Sequence, residues 1–334
     1  MLILIALLFH HHAAAAASWD PLGLLPAAVA YHAVVPVCDL NGLLVIGGNN
    51  ASGTVGDLSD VRFYNITENV WTKFPSMLKP RSSMAAARLG TIVLVCGGEN
   101  EQSSGAMGDD TCESLDLSLP TSQQQWVSAP SLPLPRTSAG LIALPDGSGF
   151  ILVGGFMTPP ITYFDTTLFL PISGTAWLDL GVGAKLPFGG RSNFGLAVAG
   201  GLIFQVGGSG LNPSYADLSI FNVETKAWLA VTPIPAPRSW MSIATVKASG
   251  QETILIIGGE DEGFNIMSSV IRSSVINASS ADTLSWTDAP SLPFPRSFSK
   301  AGACGDVVFE IGGVGPMAGV NNSFFSLLLT SANI

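Results

Sequence analysis

Short runs of apolar, mostly β-branched residues recur along the chain, and each ends in a pair of glycines. The runs are Leu43–Ile46, Ile92–Cys96, Phe150–Val153, Leu202–Val206, Ile254–Ile257 and Val307–Ile311. Behind them stand Gly47-Gly48, Gly97-Gly98, Gly154-Gly155, Gly207-Gly208, Gly258-Gly259 and Gly312-Gly313, spaced by 50, 57, 53, 51 and 54 residues. A continuous apolar run of this length, closed by turn residues, is the pattern of a strand buried on both faces. A second strand-like segment follows each pair, as in Val61–Trp71 or Leu218–Trp228, and five of the pairs lead on to a tryptophan: Trp71, Trp126, Trp177, Trp228 and Trp286. Proline-containing turns then lead to Arg81, Arg136, Arg191, Arg238 and Arg296. Gly (37) and Pro (22) interrupt every apolar stretch, which disfavours long helices.

Six copies of a unit near 50 residues, each with about four short strands, predict an all-β, six-bladed β-propeller. The order arginine, strand, Gly-Gly, strand, tryptophan resembles the kelch repeat, and the resemblance covers essentially all of residues 18–334, read as a single domain. Blades are expected near 30–74, 81–128, 136–179, 191–230, 238–288 and 296–330. The sixth Gly-Gly is followed by Phe324–Leu329 without a tryptophan strand, while Trp19 stands alone in Ser18–Pro26. The stretch 18–22 is therefore expected to complete the last blade and hide its edge. The first repeat departs from the rest by carrying Ala30-Tyr31-His32 where the others have arginine.

Met1–Phe9 is apolar and is followed by His10–His12 and the alanines 13–17, a pattern that reads as a secretory signal over residues 1–17 cleaved before Ser18. A secreted or lumenal glycoprotein is the expectation, with acceptor sequences at Asn50, Asn65, Asn277 and Asn321. Four cysteines allow three pairings. Cys96 ends a Gly-Gly strand and Cys112 begins the next strand of the same blade, which favours that pair. Cys38 and Cys304 hold nearly equivalent places in the blades that close the ring; buried free thiols are the alternative.

The chain has 14 basic against 24 acidic residues, a net charge of −10, so nucleic acid and anionic membrane surfaces are poor partners. With 47% hydrophobic and 11% charged residues it is not a disordered chain, and no apolar run reaches the roughly 18 residues of a membrane span. His32 is the one histidine outside the leader, which disfavours a histidine-built metal site, and no Gly-x-Ser-x-Gly elbow accompanies it. Copper oxidases on kelch-like propellers use two His and two Tyr with a modifying Cys, a set that one His with Tyr31, Tyr64, Tyr163 and Tyr215 cannot supply. No cofactor, metal or catalytic constellation is expected.

By resemblance, ligands of kelch-type domains contact the face where the turns at the arginines meet the loops after Gly-Gly. Trp240 is the leading candidate, with Arg238, Arg191 and Glu260 as polar surround, and Asp261, Phe156, Glu99 and Asn100 beside them. Against this, a repeated arginine at one register reads as a blade-to-blade tie, and an aromatic residue in a strand-rich fold as core. The reading is a monomeric, non-catalytic binding module for a protein or glycan. Its rival is a carbohydrate-active enzyme of the sialic-acid-epimerase-like kelch type, which requires arginine, Glu99 and Glu260 to converge in one pocket.

Overall fold

The structure is a computed structural model and describes residues 18–50, 56–100, 107–248, 250–275, 284–316 and 319–329. The leader at 1–17 and Asn277 lie outside these residues. Among them the strands form six four-stranded antiparallel sheets arranged as a propeller. Blade 1 holds Ala33–Val37, Gly42–Ile46, Val61–Asn65 and Val70–Phe74; blade 2 holds Ala85–Leu89, Ile92–Cys96, Cys112–Asp116 and Val127–Ala129. Blade 3 holds Gly140–Ala143, Gly149–Val153, Thr167–Pro171 and Leu178–Asp179; blade 4 holds Gly195–Ala199, Leu202–Val206, Leu218–Asn222 and Ala227–Val231. Blade 5 holds Ser242–Ala248, Gln251–Ile257, Val270–Val275 and Thr287–Ala289. Blade 6 is made of Lys300–Cys304, Val307–Ile311 and Ser323–Leu328, with Asp20–Leu24 from the other end of the chain pairing along Ser323–Ser326.

The second strand of each blade is buried on both faces because it packs against both neighbouring blades, which is why its residues are mostly apolar without alternation, with Gln205, Thr253 and Glu310 as buried polar exceptions. Apolar side chains accordingly gather in six clusters, one at each junction between blades. Four tryptophans tie their blade to the one before it, while the buried Trp286 indole nitrogen has no partner among the described residues. The indole N–H of Trp126 donates to the Pro75 carbonyl (2.9 Å), that of Trp177 to the Pro130 carbonyl (2.9 Å), that of Trp228 to the Thr167 hydroxyl (2.8 Å) and that of Trp19 to the Pro290 carbonyl (2.8 Å). Buried indoles that find an acceptor combine apolar area with a directional anchor.

The Gly-Gly pairs lie at the seams. The amide of the second glycine donates to the carbonyl of the residue that opens the next blade: Gly48 to Arg81, Gly98 to Arg136, Gly155 to Arg191, Gly208 to Arg238 and Gly259 to Arg296, all at 2.8–2.9 Å. A Cβ on Gly207 would stand 2.3 Å from the Arg238 carbonyl oxygen, and one on Gly208 2.6 Å from that of Ser192. Both glycines also adopt φ near +59° and +100°, so no other residue fits. The sixth seam runs from Gly313 to Val29, at 2.8 Å. It is Val29, one residue before the Ala30-Tyr31-His32 segment, that stands in the arginine register.

Cys96 and Cys112 face each other within blade 2, with Cα atoms 4.2 Å apart, and form a disulfide. Cys38 and Cys304 form a second, between blades 1 and 6, with Cα atoms 5.5 Å apart. Deleting residues 18–26 removes the outer strand of blade 6, the buried Trp19 and Leu25, and the Trp19 anchor to blade 5. Such a truncation should lower the unfolding free energy by at least about 3 kcal/mol, the scale of a lost buried tryptophan, and expose a sheet edge. Urea denaturation with light scattering checks this; an unchanged midpoint and a monodisperse sample would refute it.

Candidate functional site

Two residues after each seam carbonyl the chain turns into the innermost strand of the next blade. The turn residues are Tyr31, Ser83, Ser138, Asn193, Trp240 and Phe298, and all six have φ between +51° and +58°. This left-handed conformation is costly for residues with a Cβ, most of all for bulky ones. It is held by a closed ring of backbone hydrogen bonds. The Ser83 amide donates to Tyr31, Ser138 to Ser83, Asn193 to Ser138, Trp240 to Asn193, Phe298 to Trp240, and Tyr31 to Phe298, at 2.8–3.2 Å. The ring circles the propeller axis once and rims a recess whose enclosed part is about 50 Å³, widening to about 420 Å³ when the mouth open to solvent is counted.

The backbone of this rim repeats six times, but its side chains do not. Three consecutive positions are aromatic: the Tyr31 ring lies 4.4 Å from Phe298 and Phe298 4.3 Å from Trp240, centroid to centroid, with Tyr31 and Trp240 edge-to-face at 6.2 Å. All three are half-buried. The other three positions, Ser83, Ser138 and Asn193, offer hydroxyls and an amide. One half of the mouth can stack on a flat ligand surface and the other can hydrogen-bond.

Deeper in the recess lie His32 and Lys300. His32 is fully buried, and both of its ring nitrogens lack a hydrogen-bond partner. Burial, and secondarily the charge of Lys300, drives its pKa down to about 3, so the ring is neutral. Lys300 holds the strand register that Ala33, Ala85, Gly140, Gly195 and Ser242 hold in the other blades. Burial lowers its pKa, and Glu310 opposes that shift. Glu310 lies on the other face of the same sheet, fully buried, and its Oε1 accepts from the Ser242 hydroxyl at 3.0 Å. Burial pushes its carboxyl up to about 7, against the pull of Arg296, Ser299, Ser242 and Lys300.

The sequence candidates fall into three groups. Trp240 stands at the mouth, in the aromatic arc. Glu99 and Glu260 stand in the loops above it, paired by backbone with Ser82 and Ser239, and burial raises both carboxyl pKa values. Both also bear on the Tyr31 hydroxyl, whose pKa they help to raise after burial itself. Asp261 is folded into its own loop, where it accepts from Gly263 and from both the backbone and side chain of Asn265. Asn100 follows Glu99 in its loop, and Phe156 pairs with Tyr163 in a small hairpin, rings 5.6 Å apart.

Arg191 and Arg238 belong to the framework. Each is buried, and the arginines reach from one seam into the next blade. Arg238 Nη1 donates to the Gly258 and Ser269 carbonyls at 3.1 and 2.9 Å, and Nη2 to the Ser269 hydroxyl at 2.9 Å. Arg191 pairs with Asp217 at 3.2 Å and stacks on Tyr215 at 4.8 Å. Arg81, Arg136 and Arg296 do the same work at Gly97, Gly154 and Gly312. The convergence of arginine with Glu99 and Glu260 in one pocket, which the enzymatic rival requires, is therefore not found: the seam guanidinium groups are spent on groups of the framework. Sequence reading missed Tyr31, Phe298 and Lys300 as members of the site. The available signal was register, because each departs from the Ser, Ala or Gly found at the matching place of other repeats.

No family model matches the chain. It is similar to Kelch-like protein terF of Aspergillus terreus, 28% identical over 145 residues, which is 41% of this chain and 30% of that protein. It is also similar to Kelch domain-containing protein 8B of Rattus norvegicus, 30% identical over 158 residues, 45% of this chain and 42% of that protein. The matches thus span less than half the length of either relative.

The buried groups leave opposite marks on stability. Native Glu310 keeps a proton that the unfolded chain releases above 4.5, so its contribution falls as pH rises from 4.5 to about 7. Native His32 refuses a proton that the unfolded chain takes below 6.5, so its contribution falls as pH drops from 6.5 toward about 3. Replacing Glu310→Gln removes the first effect alone. The stability of that variant relative to the parent should rise by about 2 kcal/mol between about pH 5 and about pH 8. A pH-independent difference in urea denaturation would show that Glu310 is already ionised in the fold at low pH.

Proposed function

We propose that the chain, a six-bladed propeller similar over part of its length to kelch-like proteins, is a non-catalytic binding module, secreted or lumenal, that takes a protein or glycan partner at the mouth of its central recess. The observation that carries this reading is the arc of Tyr31, Phe298 and Trp240, half-buried side chains on a strained backbone ring, opposite Ser83, Ser138 and Asn193. Exposed aromatic residues flanked by hydrogen-bonding groups are the usual anchors of a binding hot spot. Backbone strain held by the surrounding framework also concentrates at ligand sites. Glu99 and Glu260, above the arc, would meet the outer part of a partner.

Two disulfides support an oxidising compartment. The apolar leader and the acceptor sites Asn50, Asn65, Asn277 and Asn321 accord with it. Among the described residues no helix is long and apolar enough to cross a membrane. The enzymatic rival would need groups other than the arginines, which the framework consumes.

Glycan arrays and proximity labelling with the secreted protein identify the partner, and variants then place it. Trp240→Ala should weaken binding by more than about 1 kcal/mol, roughly fivefold or more, while the melting temperature stays nearly constant. A loss of stability matching the loss of binding would make Trp240 a packing residue and remove the reading. Intact-mass analysis of native material should find a chain beginning near Ser18 with at least one glycan and no free thiol. A retained Met1 segment with four free thiols would overturn the secretory assignment.

A further inference from the structure

The floor of the recess is built differently from its walls. At the strand position that closes it, five blades carry Ala33, Ala85, Gly140, Gly195 and Ser242, and blade 6 alone carries a long cationic side chain, Lys300. Lys300 lines the recess half-buried, forms no hydrogen bond or salt bridge among the described residues, and has its ammonium supported by the charge of Glu310 across the sheet. Beside it His32 is fully buried with both ring nitrogens unpartnered, and it lines the same recess. A neutral imidazole has one N–H to donate and one nitrogen to accept. A buried polar group without a partner, as the His32 ring is, costs free energy comparable to a lost hydrogen bond. The half-buried Lys300 and the buried His32, lining one recess, offer an anion a positive charge and a hydrogen-bond donor.

We infer that the recess binds a small ring-bearing carboxylate, its carboxylate inward on Lys300 and His32 and its ring against Phe298, Trp240 and Tyr31. This rests on the mouth being the binding face. The enclosed part of the recess is small, about 50 Å³, so a carboxylate can enter it while the ring stays at the mouth. The orientation fits as well, because the carboxylates Glu99 and Glu260 stand at the outer rim, where they would repel an anion pointing outward and accept hydrogen bonds from hydroxyl or ammonium groups at the ligand's far end. The same chemistry is offered by two sources, an aromatic acid and a sugar acid. The opposite occupant, an organic cation caged by the aromatic arc, is disfavoured by an ammonium at the bottom of the cage.

Ligand-observed NMR on the full chain decides this, with sodium benzoate, sodium glucuronate, methyl glucoside and tetramethylammonium chloride as probes. At least one carboxylate should bind, with methyl glucoside at least tenfold weaker. Binding of benzoate alone identifies an aromatic acid, and of glucuronate alone a sugar acid. Lys300→Met, which keeps the apolar stem, should lose carboxylate binding by tenfold or more, and Lys300→Arg should retain most of it. If Lys300→Met fails to fold, the Lys300→Arg variant and the comparison of charged with neutral probes still decide. Absence of carboxylate binding, or tetramethylammonium binding strengthened by Lys300→Met, overturns the inference. Should a partner be lost in Trp240→Ala while no carboxylate binds the parent, the mouth keeps its role and the carboxylate assignment alone falls.

Discussion

The structure depends on one hydrogen bond made six times, from the second glycine of each Gly-Gly pair to the carbonyl that opens the next blade. Its short length brings two backbones so close that neither glycine can carry a Cβ. Once the seam carbonyl is fixed, the side chain of the same residue has one direction left, into the next blade. There an arginine satisfies carbonyls at the end of the second strand, as Arg136 does at Gly154 and Arg296 at Gly312. Glycine and arginine are thus two halves of one device. The first lets blades approach, and the second supplies donors that their close approach shuts off from water.

The seam also explains why the mouth can vary. Backbone hydrogen bonds hold the rim ring and its left-handed turns, so the rim does not draw its geometry from the side chains it displays. Serine, asparagine, tyrosine, tryptophan and phenylalanine occupy the same six-fold position with nearly the same φ. A framework that is indifferent to these side chains leaves them available for recognition. The asymmetry that results, with aromatic groups on one half and hydroxyl or amide groups on the other, is what gives a symmetric fold a single orientation for a ligand.

Legibility in the sequence followed the same division. The blades, the seams and the tryptophan ties were readable because each rests on a repeated residue, and repetition at fixed spacing survives without knowledge of contacts. The pairing of Cys96 with Cys112 was readable because both ends of the loop fall at known strand ends. Trp240 and the Ala30-Tyr31-His32 segment stood out as departures from the pattern, but the partnership of Trp240 and Tyr31 with Phe298 did not, since it joins residues 58 to 267 positions apart. Lys300 was hidden for another reason: on a sequence it reads as an ordinary strand-edge cation, and only the closure of the ring turns that edge inward. Arg191 and Arg238 carried two readings, ligand contact and a blade-to-blade tie, and their partners are those of the tie. Charge near a loop suggests contact with solvent, yet the seam buries them completely.

The sixth seam shows what the device requires when one half is missing. Val29 supplies the carbonyl to Gly313 but has no guanidinium to send into blade 1, and the space beside Gly47 and Asp60 remains a pocket that Arg62 lines. Arg62 pairs with Asp60, the residue in the register where Thr111, Thr166 and Ser269 receive an arginine in other blades. Blade 1 therefore satisfies its own acceptor, and the tie between the first and last blades has to come from elsewhere. It comes from the chain's N-terminal stretch, whose Leu25 and Val29 amides donate to the Asn322 and Asn321 carbonyls, and from the Cys38–Cys304 disulfide. That disulfide spans 266 residues, the kind of long loop whose closure entropy, in the chain-entropy account, is worth roughly 5 kcal/mol. The one seam that joins the two ends of the propeller, where a ring most easily opens, is thus the seam where a side-chain tie has been replaced by a covalent one.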